Sequence, residues 1–212
     1  MLDLNAHILP GIHAATPGIA EARAAAEALM LGGVTAAVTP ALIGDDPEAD
    51  LAAAEAARRA LEEELASRSV ALELLPGAVM PVDRIADIPA DVLARCTVGG
   101  SGRWLVVTLP DAGWPLGLAD LLQGLEMGGI GIVVAHPERS ESLQGTPDRL
   151  RDLLGRGALV QLGAGSLSGQ HGARVERAAF SLLRNGMVTV VASDEPSPTG
   201  HALDFEAVLT AL

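Results

Sequence analysis

The sequence predicts an α/β fold built on a parallel sheet. Three observations carry this. Short apolar runs recur at residues 2–6, 34–39, 70–75, 104–109, 130–135, 158–163 and 188–193. Longer segments with helical apolar spacing separate them. Several runs are dense in valine and isoleucine, as strands buried on both faces are. Strands alternating with helices build βαβ units. About seven such units either close into a barrel or spread as an open doubly wound sheet, and the pattern leaves both open. In either case the chemistry belongs at the carboxyl ends of the strands.

The helices between the runs have readable ends. Thr16-Pro17 supplies a cap and a proline at the first helical position, and Gly32-Gly33 closes that helix. Asp46-Pro47 opens the next, which runs to about Arg68 and places Glu55 with Arg59 and Glu64 with Arg68 one turn apart. Thr146-Pro147 opens a short helix with Leu150, Leu153 and Leu154 as its apolar stripe. Another runs from about Ala173 to Arg184 and stops at Asn185-Gly186. A last one starts near Ala202. Gly99-Gly100-Ser101-Gly102 precedes a strand and reads as a turn, not a phosphate loop. Gly163-Ala164-Gly165-Ser166 reads as a plain βα turn.

Composition narrows the function classes. The 212 residues, 49% apolar and 19% charged, suit one folded domain over 1–212 with a full core. A net charge of -13 and 2% aromatic residues argue against nucleic-acid binding, which favours basic faces and stacking platforms. All the basic residues are arginine, so no lysine is available for Schiff-base chemistry. Cys96 is the single cysteine and cannot form an internal disulfide, which suits a reducing compartment. The start of the chain lacks the features of a signal peptide, and no apolar stretch reaches the ~18 residues of a membrane span. A cytoplasmic protein without membrane insertion is expected.

Polar residues then fall at strand ends. His7 and His13 follow the first run, His136 ends the fifth and Asp194 the seventh. Imidazole and carboxylate are usual ligands of Zn, Mn or Fe. His7, His136 and Asp194 can therefore meet on one rim and hold one cation. The same residues have ordinary uses, as hydrogen-bonded histidines beside strands and, for Asp194, as a cap or turn residue. His171 and His201 lie further from their strands and read as surface residues.

These segments resemble, in order along nearly the whole chain, the PHP-family tyrosine phosphatases of Gram-positive and other bacteria. Asp3 to Ile12 is similar to the family's D-x-H-x-H-I-L-P-G-I, and Val38-Thr39-Pro40 to its A-T-P-H. Leu75-Pro76-Gly77 is similar to L-P-G-x-E, and Ala135 to Arg139 to A-H-P-E-R. Gln161 to Gly172 is similar to Q-x-T-x-x-S-L-x-G-x-F-G, and Ala192-Ser193-Asp194 to A-S-D-A-H. The resemblance implies a distorted (β/α)7 barrel of PHP type and manganese-dependent enzymes encoded with capsule and exopolysaccharide genes. It implies about three metal ions bound by His, Asp and Glu. As partner it implies a phosphotyrosine protein or a tyrosine kinase of polysaccharide synthesis; the oligomeric state is left open.

The departures from the pattern concentrate on the implied ligands. Asn5 replaces the first histidine of the opening pair, while His7 keeps the second. His13 stands for the acidic residue after Pro-Gly-Ile, Ala41 for the histidine after Thr-Pro, and Val79 for the glutamate after Leu-Pro-Gly. Thr108 stands for the glutamate of strand four and Pro196 for the histidine after Asp194. His7, His136, Asp194 and Arg139 remain, and His201 stands near an expected arginine. The resemblance thus implies metal ligation by His7, His136 and Asp194 with help from Asn5 or His13, and catalytic roles for Arg139 and His201. One carboxylate and two or three imidazoles cannot hold three dications close together against their repulsion. At most one divalent cation (Mn, Zn or Fe), or none, is expected. Two readings follow: a degenerate member that has lost catalysis, or a mononuclear metal-dependent phosphoesterase.

Overall fold

The computed structural model describes residues 1–110, 113–115, 117–144 and 148–194. The strands in chain order are β1 (Leu2–Asp3), β2 (Ala36–Val38), β3 (Ala41–Leu42), β4 (Glu73–Leu75), β5 (Ala78–Pro81), β6 (Trp104–Thr108), β7 (Gly131–Ala135), β8 (Leu159–Gly163) and β9 (Val190–Ala192). The helices are α1 (Ile19–Leu31), α2 (Pro47–Ser67), α3 (Ala90–Arg95), α4 (Leu118–Met127), α5 (Glu141–Gln144), α6 (Asp148–Gly155), α7 (Ala164–Leu167) and α8 (Ala173–Arg184).

All strand pairs are parallel, as the alternating pattern requires. They form two sheets, in the orders β1-β2-β4 and β3-β5-β6-β7-β8-β9, and not one closed barrel. Prolines cause the division. Pro40 separates β2 from β3 and Pro76 separates β4 from β5, and neither can donate to a ladder. The register is unchanged across the break, with Val38 opposite Leu75 and Ala41 opposite Ala78. Thr39 N–H donates to Leu75 O (2.9 Å) and Ala41 N–H to Gly77 O (2.9 Å) through it. At the other edge one bridge, Ala6 with Asp194, links the end of β9 to the segment after β1.

The central strands β6, β7 and β8 are buried on both faces. On one face Leu105, Val107, Ile132, Val134 and Val160 pack with Leu122, Leu125, Leu150 and Leu153 of the helices. On the other Val79, Val106, Val133 and Ala135 form a separate apolar cluster. α1 and α2 cover the first sheet through Ala22, Ala25, Leu29, Leu61 and Leu65. Each such large side chain stabilises the fold by about 1.5–3 kcal/mol.

Most helix ends agree with the sequence, and one does not. Asp46 caps α2 by accepting from Ala49 N–H (3.1 Å). Glu55 pairs with Arg59 (2.8 Å) and Glu64 with Arg68 (3.4 Å), exposed contacts each worth under about 1 kcal/mol. The left-handed stop after α8 is Gly186 (φ 66°), not Asn185. Thr16 is not a helix cap: α1 starts after Gly18, and the Thr16 hydroxyl donates to Leu9 O (2.8 Å), tying the loop after β1. Thr146-Pro147 and the helix expected from residue 202 lie outside the described residues.

Gly131 illustrates how tightly the second sheet packs. A Cβ there would overlap the indole of Trp104 on the neighbouring strand. Gly131→Ala is expected to destabilise the protein by about 1–3 kcal/mol, as overpacking does. Urea unfolding followed by tryptophan emission measures it.

Candidate functional site

The site is built where β7 and β9 end. Among the described residues the non-glycine positions with positive φ are Ser69, His136 (54°) and Asp194 (65°), so two of the three lie here. Left-handed backbone turns each strand end abruptly. After His136 the chain makes a 3-10 turn, Pro137–Arg139, which returns Glu138 and Arg139 to the same rim. Asp194 is fixed by its backbone: its N–H donates to Asn5 O (2.9 Å) and its O accepts from His7 N–H (2.7 Å).

The Asp194 carboxylate, 4% exposed, is the centre of the cluster. Its Oδ1 lies 3.0 Å from His136 Nε2 and 3.8 Å from His7 Nε2. Its Oδ2 accepts from Arg139 Nη2 at 2.5 Å. Asn5 joins the two imidazoles, with Oδ1 3.0 Å from His7 Nε2 and Nδ2 3.5 Å from His136 Nε2. Burial alone would raise the Asp194 carboxyl. The hydrogen bond and charge of His136, with the charges of Arg139 and His7, outweigh it and hold the group well below the usual range. Burial would lower His136, but its bond to Asp194 prevails and raises it. Glu138 Oε1 stands 3.8 Å from His136 Nδ1, too far for a hydrogen bond.

A second layer supports this one. Glu138 is fully buried, and its Oε1 accepts from Ser166 Oγ–H (2.6 Å) and Gly163 N–H (3.3 Å). Arg139 Nε–H donates to Ser166 Oγ (3.4 Å). Gly163 has no side chain where one would meet the site: a Cβ would lie 2.7 Å from Arg139 Nη2 and 3.3 Å from Asp194 Oδ2. Asp3, also buried, accepts from Asn5 N–H (3.1 Å) and Ser193 N–H (3.2 Å), which ties the two loops together. Burial pushes its carboxyl up.

His13 departs from the expected ligand role. Its ring stacks on His7 (centroids 4.6 Å apart), but both its nitrogens serve the backbone. Nδ1 accepts from Leu9 N–H (2.9 Å), so Nε2 carries the proton and donates to Pro40 O (3.0 Å). Neither nitrogen is left for a cation. Burial, and then the neighbouring His7, lower its pKa to about 3.

The structure thus brings His7, Asn5, His136, Arg139 and Asp194 together, with His13 beside them and turned away. His201 and Pro196 lie outside the described residues. Of the substituted ligand positions, Ala41 is fully buried, Val79 belongs to the apolar cluster of β5, β6 and β7, and Thr108 ends β6. Three dications do not fit this donor set. Ala41 and Val79 offer no side-chain donor, and the one carboxylate at the centre among the described residues is already bonded by Arg139 and His136. Among the described residues no three His, Cys, Asp or Glu side chains stand in a ready-made cation cage. Imidazole and carboxylate are donor types that suit a single cation, and Arg139 Nη2 already occupies Asp194 Oδ2. Sequence reasoning missed the supporting roles of Asp3, Glu138, Gly163 and Ser166. The available signal was a buried-type acid inside His-Pro-Glu-Arg and a run of small residues directly after a strand.

A parallel α/β scaffold with a histidine, arginine and carboxylate rim at its strand ends defines a strand-end site of the kind that handles cations or oxyanions. The profile of the capsular polysaccharide synthesis family CpsB/CapC matches residues 1–203, and the chain belongs to that family. It is 26% identical over 196 residues to tyrosine-protein phosphatase YwqE of Bacillus subtilis (strain 168), covering 92% of this chain and 76% of that protein. A solved chain from work on YwqE of Bacillus subtilis and CpsB of Streptococcus pneumoniae, described as metal-dependent tyrosine phosphatases, shares the fold. That match has a TM-score of 0.86 at 23% identity and covers 100% of this chain and 85% of the other.

His13 gives a pH test. Its pKa is depressed from 6.5 to about 3 in the folded protein, so the unfolded chain binds the extra proton between those values. The stability it contributes is fully present above pH 6.5 and is lost as pH falls toward 3. Between pH 7 and 4 the unfolding free energy of wild type is expected to fall more steeply than that of His13→Gln. Equal slopes in denaturant titrations would contradict the buried neutral assignment.

Proposed function

We propose that this chain is a family member that has given up the multi-metal phosphatase reaction and acts as a binding protein holding at most one cation. The carrying observation is the state of Asp194. Among the described residues it is the one carboxylate at the centre of the rim, and Arg139 and His136 already neutralise it. Ala41 and Val79, buried and apolar, support the same reading. The whole chain, 1–212, is read as a single distorted (β/α)7 barrel of PHP type. The unchanged register across the proline breaks and the Ala6 bridge to Asp194 support a closed ring.

The ligand class follows from the relative. YwqE is named a tyrosine-protein phosphatase, and a phosphotyrosine segment of a protein, such as a tyrosine kinase of polysaccharide synthesis, is the proposed partner. Arg139, with a planar guanidinium, is the residue suited to phosphate oxygens; the expected role of His201 stays a proposal. Among the described residues no helix is long and apolar enough to cross a membrane, and a cytoplasmic location is proposed. A second reading, a mononuclear phosphoesterase, is favoured by one observation: both imidazole Nε2 atoms lie within 3.0–3.8 Å of the same Asp194 oxygen. A bound cation there would supply Lewis acidity and an acidified water. His7, His136 and Asp194 would hold it, and Arg139 would orient the phosphate.

Metal content by mass spectrometry, paired with hydrolysis of an aryl phosphate in excess Mn2+, separates the readings. The proposal expects no turnover above background and no change on His136→Ala. Stoichiometric metal with turnover abolished by His136→Ala would overturn it.

A further inference from the structure

The geometry points to Arg139 as a built-in counter-cation that keeps a divalent metal off Asp194, with Gly163 as the gap that lets it do so. This rests on the preceding reading that His7, His136 and Asp194 suit at most one cation. A guanidinium has two terminal nitrogens, so one can hold a carboxylate while the group keeps its place at the rim. Here Arg139 Nη2 is spent on Asp194 Oδ2 at 2.5 Å, a short charge-assisted bond. The carboxylate it occupies is the one a cation would need.

Arg139 is held in that place from behind. Its Nε–H donates to Ser166 Oγ, and Ser166 in turn donates to Glu138 Oε1. Glu138 is fully buried on the other side of the guanidinium, with Oε1 3.9 Å from Nε. The guanidinium therefore lies between two carboxylates, one buried and fixed and one on the rim. Glu138 Oε2 has no hydrogen-bond partner among the described residues, so the compensation of this buried acid comes from Oε1 and the nearby Arg139.

Gly163 makes the arrangement possible. Any side chain there would begin 2.7 Å from Nη2, a separation that real Cβ atoms do not keep. The backbone at Gly163 (φ -81°, ψ 135°) suits any residue, so the glycine is not there for conformational freedom. Its effect is the space it leaves, and Arg139 fills that space.

Isothermal titration of the full chain with Mn2+ alone tests this. Arg139→Gln keeps a polar side chain but removes the charge, and Gly163→Ala keeps the charge but places a methyl 2.7 Å from Nη2, too close for the guanidinium to stay. Both are expected to bind Mn2+ about tenfold or more tighter than wild type, a change that isothermal titration resolves readily. Arg139→Gln that is folded by circular dichroism yet binds Mn2+ no tighter than wild type would overturn the proposal, as would no binding in any variant. If Arg139→Gln does not fold, Gly163→Ala decides alone: equal affinity overturns the proposal and tighter binding upholds it. The number of Mn2+ bound by wild type tests the preceding reading, and the ratio of variant to wild type tests this one, so the two fail separately.

Discussion

Asp194 is the point at which backbone closure and site charge meet. Its main chain bonds Asn5 and His7 and so joins the last strand to the first segment. Its side chain takes Arg139 and His136. A left-handed aspartate at the end of a buried strand is a costly placement, of order 1–3 kcal/mol. It persists because neighbours on both sides determine it: Asp3 holds the adjoining amides of Asn5 and Ser193, and Glu138 with Ser166 holds Arg139. Stability and site geometry are thus supplied by the same few contacts.

The substitutions around the rim form a consistent set. Clustered carboxylates without cations repel one another, and clustered cations without carboxylates do the same. On the proposed reading, metal ions and their acidic ligands are lost together. Val79 in an apolar cluster and Ala41 buried without a polar group fit that reading. Arg139 on Asp194 balances the acid that remains. A buried ion pair of this kind contributes little net stability but is expensive to break singly, so it fixes one arrangement of the rim.

Much of this was legible in the sequence. The apolar runs cover β1, β2, β4, β6, β7, β8 and β9, and Asp46-Pro47 marks the start of α2 because its cap chemistry is local. β3 and β5 lie beyond the runs at 34–39 and 70–75, on the far side of Pro40 and Pro76, and no apolar run predicts them. Thr16 misled because its hydroxyl serves a loop carbonyl 7 residues back, a tertiary contact that no local pattern encodes. Strand-end position alone puts His7, His136 and Asp194 on one rim, and both imidazoles lie within 3.8 Å of Asp194; their role as ligands is a proposal. The orientation of His13 was not legible, since its neighbours Leu9 and Pro40 decide which atoms its nitrogens meet. Gly163, where the resembled pattern has threonine, looked like an ordinary turn residue; its importance is a void, and voids are invisible in one dimension.

The proposed change of the rim, from a multi-metal centre to a charge-balanced cluster of the chain's own side chains, limits the cations it can take. Anomalous diffraction from crystals soaked in Mn2+ tests it most directly. The account predicts at most one peak, among His7, His136 and Asp194, and none beside Ala41 or Val79. Two or three peaks in the rim would contradict it.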